Sequence, residues 1–273
     1  MALRTLPARD VASELPTELL WNLTLRELRG KFKRTTLGWL WSIINPVSNI
    51  AIYTIVFGVF FGMTAPKGDP SGLDMYGFFL VCGLLPWTFL TNVLSSSVMS
   101  IVGNEGLIKK VYFPRSVLPI STTLAWLASY GVELLVLGVT LLIVGNMIVP
   151  WIPVVLALMV LETAFVLGLG LLLAAGNAYF RDIQHFLGIA LNIWFYATPI
   201  IYPRDLGTIP GPIKKLQAFN PMTQFVEAYR DVLYDLRWPS ASTWLALIVM
   251  SGTTLVIGAA GFRRLEARLA EEL

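Results

Sequence analysis

Three side chains that could move protons stand inside or beside long apolar stretches of this chain: Glu133, Glu162 and His185. A charged, unpaired carboxylate at such depth costs roughly 2.5–3.5 kcal/mol on insertion scales, so each demands an explanation. Two explanations stay open. One is the proton relay of an ion-driven transporter; the other is a protonated or hydrogen-bonded carboxyl facing helix neighbours such as Ser129 or Thr163. His185 follows Arg181 and Asp182 and reads as an interfacial residue. Signatures of bond-making chemistry are missing. Nothing fits G-x-x-x-x-G-K-[ST], since Gly30-Lys31 runs into Phe32, so this chain does not hydrolyse ATP unaided. There is no D-x-D, no H-x-x-x-x-D and no H-E-x-x-H. Cys82 is the lone cysteine, which excludes an intramolecular disulfide, and no Cys or His cluster offers a metal site.

The elements that must hold these residues are membrane helices. Of 273 residues 56% are hydrophobic and only 14% charged, against roughly 25% charged in a soluble domain. Apolar stretches run from Leu37 to Met63, Gly77 to Ile101, Val117 to Val149, Ile152 to Ala178, Ile183 to Tyr202 and Thr243 to Phe262. Each reaches the roughly 20 residues needed to cross a bilayer. Their unbroken length suits helices, whereas a barrel alternates in segments of about ten. The expected fold is therefore an all-α integral membrane protein of six transmembrane helices. No cleavable signal peptide is visible, because the first 36 residues are too polar and too long for one.

Orientation follows from the connections. With both termini cytoplasmic, 14 of the 20 Lys and Arg lie inside, and the outer ones are offset by Asp69, Asp74, Asp205, Glu227, Asp231 and Asp235. Arg230 is counted among those outer cations. The net charge of +3 then reflects membrane topology rather than nucleic-acid binding. The division is 1–36 as a cytoplasmic N-terminal segment, 37–262 as the membrane domain and 263–273 as a cytoplasmic tail.

Two amphipathic segments face the cytoplasm. Trp21, Leu25, Leu28 and Phe32 recur at helical spacing beside Arg26 and Arg29, a pattern expected to lie flat on the inner leaflet with its cations on anionic lipid. Between spans two and three, Asn104 can cap a helix that Pro114 stops, leaving room for two or three turns. On it Leu107, Ile108, Val111 and Tyr112 share one face and Phe113 follows. Spacing alone leaves open whether that face meets headgroups or a partner protein.

The segments KFKRTTLGWLWSIINP (31–46), GLLPWTFL (83–90), LIKKVYFPR (107–115), ATPIIYP (197–203) and NPMTQFVEAYRDVL (220–233) resemble successive landmarks of polysaccharide-export ABC transporter permeases. These are the membrane subunits of O-antigen, teichoic acid and galactan exporters. The likeness runs in order from about residue 20 to 262. It implies a cytoplasmic coupling helix at 104–113, docked on an ATPase through Leu107, Ile108, Val111, Tyr112 and Phe113. It implies a gate-type helix carrying Trp21, Leu25, Leu28, Phe32, Arg26 and Arg29. It further implies a homodimer joined to two ATP-hydrolysing subunits in a bacterial plasma membrane, with ATP and magnesium held by the partner and no cofactor in this chain. The cargo implied is a lipid-linked glycan; an ion-coupled transporter and a permease for drugs or lipids are the alternatives.

A glycan route needs aromatic faces for pyranose rings. Tyr53, Phe57 and Phe60 at i, i+4 and i+7 are expected on one face of span one, with Trp87 beside Pro86 and with Trp194 and Tyr196 in span five. Ordinary packing or lipid contact accounts for the same aromatics. The outer loop 203–242 is broken by prolines and glycines into two short helical pieces, the second carrying Phe225, Val226, Tyr229, Val232 and Leu233 on one stripe. It is expected either to re-enter the outer leaflet, shielded by protein, or to cap the bundle as a surface helix.

Overall fold

A computed structural model describes residues 17–31, 37–63, 65–204 and 217–266. Phe32 and most of the loop between Leu206 and Ala218 lie outside the described residues. Among those described, the architecture is helical without strands. Helix α1 is Thr17–Lys31, α2 is Trp41–Tyr53 and runs on as a π-helix over Thr54–Phe60, α3 is Tyr76–Ser100, and α4 is the single turn Glu105–Ile108. Then come α5 (Val117–Ile143), α6 (Ile152–Tyr179), α7 (Ile183–Ala197), α8 (Pro221–Arg230, extended by a π turn Asp231–Asp235) and α9 (Ala241–Glu266).

Five helices have the length and apolarity to cross a membrane: Ile43–Phe60, Tyr76–Ser100, Val117–Ile143, Val149–Tyr179 and Ala241–Glu266. The fifth apolar stretch does not yield a sixth of that length. Its helix α7 stops after 15 residues, about 22 Å, where Thr198 turns extended and Pro199 lacks the N–H that would continue the ladder. The end of α7 meets the middle of α3. Trp87, about 16 Å along α3, packs edge-on against Trp194 at 5.9 Å and against Phe195 at 5.6 Å.

Beyond that point the chain is non-helical, and its carbonyls need donors inside the apolar slab. Arg230 supplies them. Its guanidinium donates to Pro199 O at 2.7 Å, Ile200 O at 2.5 Å and Phe79 O at 3.2 Å, and its carbon lies 3.7 Å over the Phe79 ring. Glu227, one turn back on α8, accepts a fourth bond at 3.3 Å. Burial works against the charge of Arg230 and Glu227 works for it. The sequence tally that placed Arg230 among solvated outer cations is thus corrected: its side chain is buried, because the freed carbonyls of 199–200 surround it.

Helix α8 starts beside the end of α7 and runs toward the α5–α6 connection. Asn220 caps it, accepting from Met222 N at 3.0 Å and from the Trp194 indole N–H at 2.7 Å, with Pro221 at the first helical position. Met222, Phe225, Val226, Tyr229 and Val232 are fully buried, so this is not a surface helix. At its outer end Asn146 donates to Leu233 O at 2.8 Å and Ser71 donates to Tyr234 O.

The core forms around α3, flanked by α2, α5, α6 and α8. Phe89 and Tyr130 stack at 4.6 Å across α3 and α5. Helices α6 and α9 approach most intimately, because glycines let the backbones touch: a Cβ on Gly258 would stand 2.2 Å from Gly168 O, and one on Gly168 2.4 Å from Thr254 O. By contrast α2 is loosely held, with 6% of its span buried against 78% for α3.

Two outcomes are expected. Gly258→Val drives side-chain carbons into a backbone carbonyl, so the variant should lose monodisperse protein in size-exclusion chromatography while Gly252→Ala, in open space, does not. Arg230→Met strands three carbonyls and should destabilise the fold by about 3–5 kcal/mol, read as a lower detergent-denaturation midpoint.

Candidate coupling surface and intramembrane polar centres

The segment between α3 and α5 is tied down on two sides. On one side Leu107, Ile108 and Phe113 pack with Leu19, Leu20 and Leu23 of α1 and with Val117 and Leu118 of α5. Arg26 of α1 donates to Asn104 Oδ1 at 2.9 Å. On the other side the backbone N–H of Arg115 donates to Glu266 at 2.7 Å at the end of α9, and the Arg115 guanidinium donates to the Glu266 carbonyl.

The local helix is shorter than its spacing predicts. A 3-10 turn at Val102–Asn104 leads into Glu105–Ile108, and the chain is extended from Tyr112. Asn104 sits at the N-cap but does not cap; its amide donates back to Ser100 O at 2.8 Å and its carbonyl is taken by Arg26. The predicted single face accordingly splits. Leu107, Ile108 and Phe113 turn toward α1, whereas Val111 and Tyr112 project outward, Tyr112 with 75% of its surface free. Beside them a Lys109–Glu105 pair at 2.6 Å holds the Glu105 carboxyl below its ordinary range, on an open surface where such pairs contribute little.

Helix α1 has two apolar faces rather than one. Leu19, Leu20 and Leu23 face protein, while Trp21 is 63% exposed and Leu25 and Leu28 are half-buried along a flank. Arg26 pairs with Glu27 at 2.9 Å as well as with Asn104, and Arg29 is exposed. The helix runs beside the first half of α5, where Lys31 meets Ala125, Trp126 and Ser129.

The two membrane carboxyls have different surroundings. Glu162 is fully buried and accepts from the Tyr130 hydroxyl at 3.0 Å, with Tyr229 packed edge-on against Tyr130. Glu133 lies within electrostatic range of Lys31. Neither meets the neighbours expected from sequence: Ser129 is bonded to Lys31 and Ala125, and Thr163 to Met159.

The aromatic candidates divide. Phe57 contacts Tyr53 at 6.1 Å and Tyr76 at 5.5 Å, but Phe60 does not share the face. The π winding, closed by Phe61 N→Val56 O, rotates it out to 77% exposure and brings Phe61 within 5.8 Å of Phe57. Trp87 and Trp194 pair, and Trp194 lines an apolar groove of about 480 Å³ with Ala190, Ile193, Phe219, Asn220 and Pro221. Tyr196 points elsewhere, 70% exposed and edge-on to Phe195.

Sequence reasoning missed Lys31, Asn220 and Arg230 as fixed points. The Asn-Pro pair at 220–221 and the prolines at 199 and 203 carried a signal, since a break in a membrane helix calls for nearby donors.

Comparison with known proteins agrees with this layout. Residues 18–234 match the family described as ABC-2 type transporter. The chain is 32% identical over 260 residues to the O-antigen export system permease protein RfbA of Myxococcus xanthus, covering 93% of this chain and 95% of that protein. It is 28% identical over 258 residues to RfbA of Klebsiella pneumoniae, covering 94% and 95%, and 27% identical over 249 residues to the polysialic acid transport protein KpsM of Escherichia coli, covering 89% and 92%. This helical bundle, with its tethered loop between α3 and α5 and no ATP-binding motif of its own, belongs to the ABC-2 type transporter family.

Proposed function

We propose that this chain is the permease subunit of an ATP-driven exporter that moves a lipid-linked polysaccharide outward across a bacterial inner membrane. The observation that carries the reading is the loop 102–116, whose Val111 and Tyr112 are presented outward while its inner face is locked to α1, α5 and α9. A rigidly backed knob is what a separate ATPase needs to push on. The export roles named for RfbA and KpsM supply the substrate class.

In this reading two copies of the chain form the pathway, because one bundle supplies half of a two-fold route, and two ATPase subunits hold the ATP and magnesium. Both termini are cytoplasmic. The chain crosses six times, α7 with the bent, non-helical 198–202 completing the fifth crossing, and α8 is the ascending limb of a re-entrant hairpin in the outer half of the membrane. ATP-driven closure of the partner moves Tyr112, and the tethers at Asn104 and Arg115 pass that motion to α1 and α9. The groove at Trp194 offers an aromatic, largely apolar face of the kind that stacks on sugar rings.

Affinity purification from native membranes tests the reading. A stoichiometric ABC ATPase is expected with the wild-type chain and at least ten-fold less with Tyr112→Asp, with export lost in parallel; retention of both in the variant contradicts it. Glu162→Gln, which still accepts from Tyr130, should leave export within about two-fold of wild type, whereas a proton relay through Glu162 predicts its abolition. Shortening the loop between Leu206 and Ala218 should leave ATPase recovery unchanged and lower export, measured as surface polysaccharide.

A further inference from the structure

Lys31 ends α1, ten residues before the first membrane helix begins at Trp41. Its ammonium does not reach back to headgroups. It points into the bundle and donates to Ser129 Oγ at 2.9 Å and to Ala125 O at 3.3 Å, with the Trp126 ring centroid 3.2 Å away. These partners lie about 12–18 Å along α5 from its start at Val117. The cage is itself braced, since the Trp126 indole N–H donates to Ser96 Oγ of α3 at 2.8 Å. Burial lowers the pKa of the Lys31 ammonium to about 7, while Glu133, one turn beyond Ser129, and Glu27 act in the opposite direction.

A lysine at a membrane surface would ordinarily extend toward water. Folding it inward costs desolvation, offset here by two carbonyl or hydroxyl acceptors, an aromatic face and a nearby carboxylate. The segment that follows is the least buried of the five membrane-length helices: α2 and its π continuation expose Ile43, Val47, Ile52, Ile55 and Val59 and pack mainly on α3 and α5. The same α1 is bonded near its middle to the cytoplasmic loop through Arg26 and Asn104.

We propose that Lys31 is a latch: its ammonium, caged by Trp126, Ser129 and Ala125, fixes the C-terminal end of α1 to α5 and so makes α1 a rigid arm between the loop that follows α3 and the middle of α5. Lys31 is a positioning residue and touches no substrate. The latch stands whatever the cargo; only its consequence for export rests on the proposed function.

The test uses the full chain in nanodiscs with its copurifying partners, Cys82 replaced by Ser, and spin labels at Gly30→Cys and Leu135→Cys. A Cβ at position 30 meets open space and Leu135 is exposed, so neither label disturbs packing. Labelled chains are diluted into unlabelled ones, and pulsed electron resonance reads the distance within one chain. The wild type and Lys31→Arg should give one narrow distribution. Lys31→Met should widen it at least two-fold and reduce export at least five-fold while ATPase recovery stays unchanged. An unchanged distribution in Lys31→Met overturns the latch, and a widened distribution with normal export overturns its role in positioning. Should Lys31→Met fail to assemble, Ser129→Ala keeps the charge and removes one acceptor; it should widen the distribution partly, and a narrow one contradicts the proposal. Absence of any ATPase with the wild type would count against the proposed function, while the distances would still decide the latch.

Discussion

Where α7 stops midway through the apolar bundle, backbone carbonyls are left that neither water nor a continuing helix can satisfy, and one guanidinium answers them. Arg230 reaches from α8 to the carbonyls of Pro199, Ile200 and Phe79 and lies on the Phe79 ring. Three elements that local propensity would not bring together, the end of α7, α8 and the start of α3, are fixed to one another by that group. The packing of α8 depends on it. Asn220 performs the complementary task below, capping α8 while bonding Trp194 and Thr198 at the end of α7.

In the loop between α3 and α5 the chain puts its polar contacts to a different use. The proposed function has this loop transmit force, which requires it to be stiff behind and free in front. Leu107, Ile108 and Phe113 are packed on α1 and α5, Asn104 and Arg115 are bonded to α1 and α9, and the apolar Val111 and Tyr112 stand clear. The tight α6–α9 contact through Gly168 and Gly258 makes the far anchor rigid as well. By comparison α2 is the least buried of the five membrane-length helices, which suits a helix that moves or meets a second copy.

Much of this was legible in the sequence, and the boundary is instructive. Five membrane helices, the amphipathic pattern of α1 and the family likeness were readable because apolar length and periodicity are averaged over many residues. The fifth stretch was read as a full span because Ile183–Tyr202 is largely apolar, yet Thr198–Pro199 ends the helix early. The face shared by Tyr53, Phe57 and Phe60 assumed α-helical winding, and a π segment undid it. Asn104 looked like a cap and became a bridge to Arg26. Lys31 and Arg230 were counted as solvated cations because a sequence states charge but not where a long side chain folds.

The central claim is that this bundle carries a glycan out of the cell at the expense of a partner's ATP. Depleting the chain in its native bacterium and following the polysaccharide measures this most directly. The account predicts loss of the surface polymer together with accumulation of its lipid-linked form on the cytoplasmic face, reversed by restoring the wild-type chain. Unchanged surface polymer with no such accumulation would contradict it.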